Sequence, residues 1–318
     1  MPTLLISYTL PEPSLRSLAK HFDLIYPTDA DAFSEDEILR HIARADAYLA
    51  VNTAVDQRVI DRAERLKIIA NYGAGYDDID TDYAATKNIP VTNTPTAVTE
   101  ATAEVAFGLM LSLLRNITFC DRQLRHNKDF VWGMLKAHTG RSLYGKTLGL
   151  VGLGRIGKAV ARRAVVSGMR VVYHQRHALF PALEREVGAE YRSMEDLLAE
   201  ADVVSLHVPL TDGTHHLLGE AELNRMKPSA FLINTARGGV VDQEALIRHL
   251  QEGNLAGAGL DVFADEPQVP DELLALDNVV LTPHIGTETI EARIAMAAEA
   301  ERNLVAFFNG DILPNQVN

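Results

Sequence analysis

The sequence predicts an α/β protein built from two doubly wound parallel-sheet domains with a cleft between them. Three observations predict it. Strand and helix patterns alternate through the first hundred or so residues, and a second such series follows that contains the run Thr147-Leu-Gly-Leu-Val-Gly-Leu-Gly-Arg-Ile-Gly157. Two long helical patterns, over about 99–125 and 288–308, flank that second series. Regular alternation implies parallel strands covered by helices.

In chain order, 3–7, 23–26, 46–51, 67–70 and 90–93 read as strands, being short apolar runs bounded by turn residues. The segments 13–21, 34–44, 56–63 and 80–86 read as helices, and Ser34-Glu-Asp-Glu37 has the spacing of a capping box. Residues 148–151 read as a buried strand, and Ile156, Val160, Ala164 and Ser167 continue at helical spacing until Gly168. Further buried strands are expected at 170–173, 202–209 and 230–234, and the runs 257–261 and 279–286 complete the series. Because the two long helical patterns bracket the second series, the economical division is 1–99 plus 287–318 as one domain and 100–286 as an inserted one.

Composition narrows the function. At 318 residues with 47% apolar and 23% charged residues, the chain suits two domains with proper cores. Its net charge of −13 argues against a nucleic-acid partner, which needs a basic face. Cys120 has no second cysteine to pair with, the N-terminus carries no leader pattern, and the apolar stretch 105–114 is too short to cross a bilayer. A cytoplasmic enzyme is the default expectation.

Gly152-x-Gly154-x-x-Gly157 falls at a strand-to-helix turn. There the first glycine permits a tight turn, the second lets a pyrophosphate approach the backbone, and the third lets helix and strand pack. Any strand-helix turn can present such glycines, but the next strand begins after one helix length, the size of a dinucleotide-binding unit. A Rossmann/flavodoxin-like doubly wound domain is therefore expected there. An acidic residue about 20 residues beyond the glycines would favour NAD, whereas an Arg accommodates the phosphate of NADP. The chain has His174-Gln175-Arg176-His177 there, so NADP(H) is the preferred cofactor, with NAD(H) as the alternative if Arg176 and His177 are merely solvated.

Loops beyond the carboxyl ends of parallel strands carry the ligands. In the first domain these include Asn52-Thr53 and Asn71-Tyr-Gly73-Ala74-Gly75; the glycines either present amides to an anion or form an ordinary turn. In the second, Arg237, Glu266 and His284 all fall just past strand ends. Single residues of these types are usually structural. The pairs His174/His177 and His215/His216 lack companion ligands at metal spacing, so no metal is expected.

Asn234-Thr-Ala-Arg-Gly, Asp261-Val-Phe-Ala-Asp-Glu-Pro and Thr282-Pro-His-Ile-Gly, together with the glycine turn, resemble the D-2-hydroxyacid dehydrogenase family over essentially the whole chain. The resemblance implies two similar α/β domains, an active site in the cleft and a homodimer. It implies that Arg237 orients the substrate's carboxylate and keto oxygen, that His284 exchanges a proton with that oxygen, and that Glu266 holds the imidazole in its charged form. It further implies that Gly73, Ala74 and Gly75 receive the carboxylate, with Asn52 and Thr53 lining the pocket. Cofactor contacts are implied for Gly152, Gly154, Arg155, Ile156, Gly157, Gln175, Arg176 and His177. They are implied also for Val208, Pro209, Thr214, Thr235, Ala236, Arg237, Asp261, His284 and Gly286.

Phe130-Val-Trp132-Gly-Met134-Leu135 resembles the segment that helps close the partner's pocket in glyoxylate, hydroxypyruvate and 2-ketoaldonate reductases; Trp132 could equally anchor its own loop. With the missing ribose carboxylate, this favours an NADPH-linked reductase of glyoxylate and hydroxypyruvate, with 2-ketogluconate a further candidate. Glu266 disfavours the formate-oxidising branch, where Gln stands in its place. Alternatives are an NAD-linked enzyme of D-lactate or phosphoglycerate type and, from another class, a corepressor-like dinucleotide sensor.

Overall fold

In the computed structural model, which describes residues 1–126 and 139–318, the chain divides into two compact units. One comprises Met1–Val98 and Thr287–Asn318, the other Thr99–Gly286.

The first unit holds a parallel sheet of β1 (Thr3–Ile6), β2 (Asp23–Ile25), β3 (Ala47–Ala50), β4 (Ile68–Asn71) and β5 (Val91–Thr92), in the order β2-β1-β3-β4-β5. Every residue of β3 and β4 is buried, as strands covered on both faces must be. The helix Glu35–Ile42 starts where the capping box predicts: the Glu37 carboxylate accepts from the Ser34 N–H at 2.8 Å and from its hydroxyl at 2.7 Å. The helix Ile290–Asn309 begins with Thr289, whose hydroxyl accepts from the Ala292 N–H at 3.0 Å, and stops at Gly310 in the left-handed region. Beyond it the C-terminal segment returns to β5, with Asn93 N–H donating to the Asn315 carbonyl and Val317 N–H to that of Val91.

The second unit holds seven parallel strands. They are β6 (Thr147–Val151), β7 (Arg170–His174), β8 (Ala189–Tyr191), β9 (Val203–Leu206), β10 (Phe231–Asn234), β11 (Gly257–Leu260) and β12 (Val279–Leu281), in the order β12-β11-β10-β9-β6-β7-β8. The strand order reverses between β6 and β9, the position at which open sheets of this kind bind ligands. Side chains alternate between two cores, as a period of two requires. Leu148, Leu150, Val171, Tyr173 and Ile233 pack with Ala103, Ala106 and Met110 of the helix Thr99–Leu114, whereas Val151, Val172, Val204 and Leu232 face Leu246 on the other side.

Two expectations are corrected. The helical pattern over 99–125 is two helices, Thr99–Leu114 and Ile117–His126, bent by 63° at the break. Asn116 sits there at φ 52°, a left-handed backbone that ends the first helix although the polar-apolar pattern runs on. The edge strand β8 was not expected, because Ala-Glu-Tyr offers two exposed side chains and no apolar run.

Leu148 is fully buried in the central strand β6. Leu148→Ala should cost roughly 2–5 kcal/mol through lost transfer energy and a residual cavity, read as a lower urea midpoint at unchanged slope.

Candidate active site

In the second unit all strands run parallel, so the segments that follow β6, β7, β9, β10, β11 and β12 share one edge of the sheet. Arg237, Asp261, Glu266 and His284 lie there. Asn234, at the end of β10, is 1% exposed, and its side chain shapes the turn that carries Arg237: Oδ1 accepts from the Ala236 N–H at 3.0 Å and Nδ2 donates to the Arg237 carbonyl at 2.9 Å. Gly238 follows because nothing larger fits. A Cβ there would run into the carbonyl group of Phe263 and the nitrogen of Ala264. The Arg237 turn thus lies backbone to backbone against the segment leading to Glu266, which Gln243 also holds by accepting the Ala264 N–H at 3.1 Å.

Glu266 Oε2 meets His284 Nδ1 at 2.7 Å, and Oε1 accepts the Phe263 N–H at 3.0 Å. Burial works to raise the Glu266 carboxyl, but these hydrogen bonds and the charges of His284 and Arg237 outweigh it and hold the group below the usual carboxylate range. Glu266 is therefore an anion at neutral pH. The side chains of His284 and Glu266 are 42% and 34% exposed, so the pair is accessible from solvent.

The His284 backbone has φ 53°, the left-handed region that non-glycine residues rarely adopt. Asp261 holds it there. Its carbonyl accepts the His284 N–H at 2.8 Å, Oδ1 accepts from the Thr282 hydroxyl at 2.6 Å and the Ile285 N–H at 2.8 Å, and Oδ2 accepts the Gly286 N–H at 2.8 Å. Asp261 was expected only as a cofactor contact. Its hold on the His284 turn is a function the sequence did not reveal.

The glycine turn fits a dinucleotide. Gly152 has φ 93°, and a Cβ on it would meet the His207 carbonyl oxygen at 2.6 Å; a Cβ on Gly157 would strike the Gly152 carbonyl. Around Gly154, by contrast, a Cβ would meet nothing within 4 Å. That open space lies at the N-terminus of the helix Arg155–Val166, whose first-turn amides, those of Arg155, Ile156 and Gly157, suit a phosphate. Past β7, Gln175 Oε1 accepts the Leu153 N–H at 3.3 Å and Nε2 donates to the His177 carbonyl at 2.7 Å, joining the glycine turn to the loop of Arg176. Arg176 itself is exposed and has no hydrogen bond or ion pair among the described residues. After β9, the Thr214 hydroxyl donates to the Pro209 carbonyl at 2.6 Å and folds the loop that begins at Val208. Thr235 and Ala236 lie on the Arg237 turn.

In the first unit, Asn52 is exposed with φ 44°, and the Thr53 hydroxyl donates to the Val51 carbonyl at 2.7 Å. After β4, the carbonyls of Gly73, Ala74 and Gly75 are all tied. Asn71 Nδ2 donates to Gly73 and Gly75 at 3.1 and 2.7 Å, Asn93 Nδ2 to Ala74 at 2.8 Å, and the Thr94 N–H to Gly73 at 2.9 Å. Asn71 and Asn93 went unnoticed in the sequence, where only the glycines stood out.

Trp132 and its neighbours at 130–135 lie outside the described residues. The rings of His215 and His216 stack at 4.0 Å, and His216 donates its backbone N–H to the Gly239 carbonyl. Among the described residues no group of three or more His, Cys, Asp or Glu gathers as metal ligands, and no single helix is long and apolar enough to cross a membrane.

Residues 107–286 match the family described as D-isomer specific 2-hydroxyacid dehydrogenase, NAD binding domain. The whole chain is 46% identical to a glyoxylate reductase of Thermococcus litoralis, covering 97% of that protein. Among solved structures it is similar to a glyoxylate reductase from Paecilomyes thermophila, with TM-score 0.88 and 36% identity, over 100% of this chain and 99% of that one. It is similar also to an NADPH-dependent glyoxylate/hydroxypyruvate reductase from Sinorhizobium meliloti in complex with NADP and malonate. There the TM-score is 0.87 and the identity 33%, over 99% of this chain and 96% of that one.

The glycine geometry separates folding from binding. Gly154→Ala should melt like the parent protein yet weaken dinucleotide binding by about tenfold or more, because the methyl fills the space left for phosphate. Gly157→Ala should lose stability as well. A dinucleotide fluorescence titration beside a thermal melt checks both, and unchanged affinity in Gly154→Ala would remove the turn from the cofactor site.

Proposed function

The chain belongs to the D-isomer specific 2-hydroxyacid dehydrogenase family and is an oxidoreductase, and from that premise we propose that it uses NADPH to reduce a short 2-keto acid to the D-2-hydroxy acid. Glyoxylate and hydroxypyruvate are the preferred substrates, with 2-ketogluconate a further candidate. The observation that carries the chemistry is the His284–Glu266 pair at 2.7 Å within the field of Arg237.

When bound, the dihydronicotinamide supplies a hydride to the keto carbon. The protein's own residues do the rest. Arg237 binds the keto acid through its guanidinium and stabilises the negative charge that grows on the carbonyl oxygen. His284 holds a proton at Nε2 and donates it to that oxygen, while Nδ1–H remains bonded to Glu266. Glu266, kept anionic, fixes the tautomer and stabilises the imidazolium. The amides of the 73–76 loop take the substrate's carboxylate, and Asn52 and Thr53 line the same pocket.

Gly152, Gly154 and the first turn of Arg155–Val166 would hold the pyrophosphate, and Arg176 would take the ribose phosphate. The exposed, unengaged guanidinium of Arg176 and the absence of a carboxylate on the loop that Gln175 braces support NADPH over NADH. The Sinorhizobium meliloti relative, solved with NADP, supports the same choice.

Initial rates of NADPH and NADH oxidation with glyoxylate, hydroxypyruvate, 2-ketogluconate, pyruvate and phenylpyruvate test the proposal. NADPH with a short hydroxylated keto acid should dominate; NADH with pyruvate or a bulky keto acid would overturn both the cofactor and the substrate. Arg176→Ala should raise the KM for NADPH while leaving that for NADH nearly unchanged. Arg237→Ala should lower kcat by roughly 10²–10³, the usual loss when a donor to a developing oxyanion is removed, with cofactor binding retained.

The pH profile has a definite sign. Because Glu266 lies below the usual carboxylate range, it stays ionised well into the acid, and the pair is intact there. Reduction should therefore hold its rate down to pH values below the usual carboxylate range and fall only as Glu266 itself is protonated. Glu266→Gln should lower kcat and abolish that acid limb, and a profile identical to the parent's would remove Glu266 from the role.

A further inference from the structure

The carbonyl and the following N–H of a trans peptide point in opposite directions. Fixing the carbonyls of Gly73, Ala74 and Gly75 inward therefore turns the N–H groups of Ala74, Gly75 and Tyr76 outward. Those N–H groups donate to nothing among the described residues. A loop of small residues could rotate its peptide planes freely, and a rotated plane would offer an anion a carbonyl oxygen instead of a donor. The side chains that prevent this are Asn71 and Asn93, both nearly buried, through the bonds at 3.1, 2.7 and 2.8 Å.

Asparagine suits the task because its neutral amide offers two N–H donors to carbonyls. An aliphatic residue would leave those carbonyls buried without partners, and a carboxylate would repel them. Asn93 is itself held in place. Asn303, fully buried on the helix Ile290–Asn309, donates to its carbonyl at 3.0 Å. Glu299 on the same helix, 3% exposed, accepts the Ala97 N–H at 2.9 Å and the Asn315 side chain at 3.2 Å. The C-terminal helix thus braces the strand end from which Asn93 reaches the loop.

We infer that Asn71 and Asn93 are positioning residues that lock the peptide planes of the 73–76 loop into a donor-only cradle for the substrate's carboxylate. The inference rests on the 2-keto acid reading above. Asn71→Ala and Asn93→Ala should each raise the KM for glyoxylate and the inhibition constant of oxamate, an unreducible keto-acid isostere, by about tenfold, the worth of a hydrogen bond to a charged group. Cofactor affinity should not change, and kcat only slightly. A merely structural defect would lower the active fraction, and so kcat, without moving KM.

Amide hydrogen exchange on the unmutated protein needs no variant. Ala74, Gly75 and Tyr76 should exchange quickly when free and slow when cofactor and oxamate are added. Slow exchange in the free protein would overturn the inference, because those groups would then be bonded internally. If oxamate competes with glyoxylate in the parent enzyme but both variants keep parental KM and inhibition constants, the inference alone falls. If the parent protein neither reduces a 2-keto acid nor binds oxamate, the functional reading falls and takes the inference with it.

Discussion

A carboxylate cut off from water must find donors, and Asp261 finds them within a single turn of chain. The Thr282 hydroxyl and the amides of Ile285 and Gly286 converge on its two oxygens, and its own carbonyl takes the His284 amide. Burial still pushes the Asp261 carboxyl upward against these bonds and the nearby imidazole, so the arrangement carries a real desolvation cost. What it secures is the backbone of His284 in a left-handed conformation, a strain of order 1–3 kcal/mol that persists only where surrounding contacts over-determine it. In that conformation the imidazole meets the Glu266 carboxylate at 2.7 Å.

The same logic extends along the sheet edge. Asn234 shapes the Arg237 turn from within, and Gly238 lets that turn press against Phe263 and Ala264. Arg237, Glu266 and His284 come from three different strand ends, yet their backbones are locked to one another through neighbouring peptide groups. Preorganisation of this kind places donors and charges before the reaction begins, and no reorganisation is then needed as charge develops.

Much of this was legible in the sequence because its causes are local. Strand runs, the capping box at Ser34 and the glycine turn each depend on a few adjacent residues, and each appears in the structure at or within a few residues of its expected place. The break at Asn116 was hidden because apolar periodicity reports burial, whereas the break comes from one residue's backbone conformation. β8 was hidden because an exposed edge strand needs no apolar signature. Asn71, Asn93, Gln243 and the turn-holding part of Asp261 act through contacts with residues distant in sequence or through peptide groups, and neither leaves a pattern of side-chain types.

On the function proposed above, the two units would handle an anion in different ways. The second would set a permanent cation, Arg237, against the charge that grows on the substrate, with the Glu266 carboxylate in its field. The first offers backbone amides whose carbonyl ends are tied down by neutral asparagines. A cradle of amides holds a carboxylate equally well before and during reduction, because the charge on that group does not change. Binding of that uniform sort lowers KM without speeding the chemical step, whereas Arg237, in the role proposed above, would meet the oxygen whose charge does change and so contribute to the rate itself.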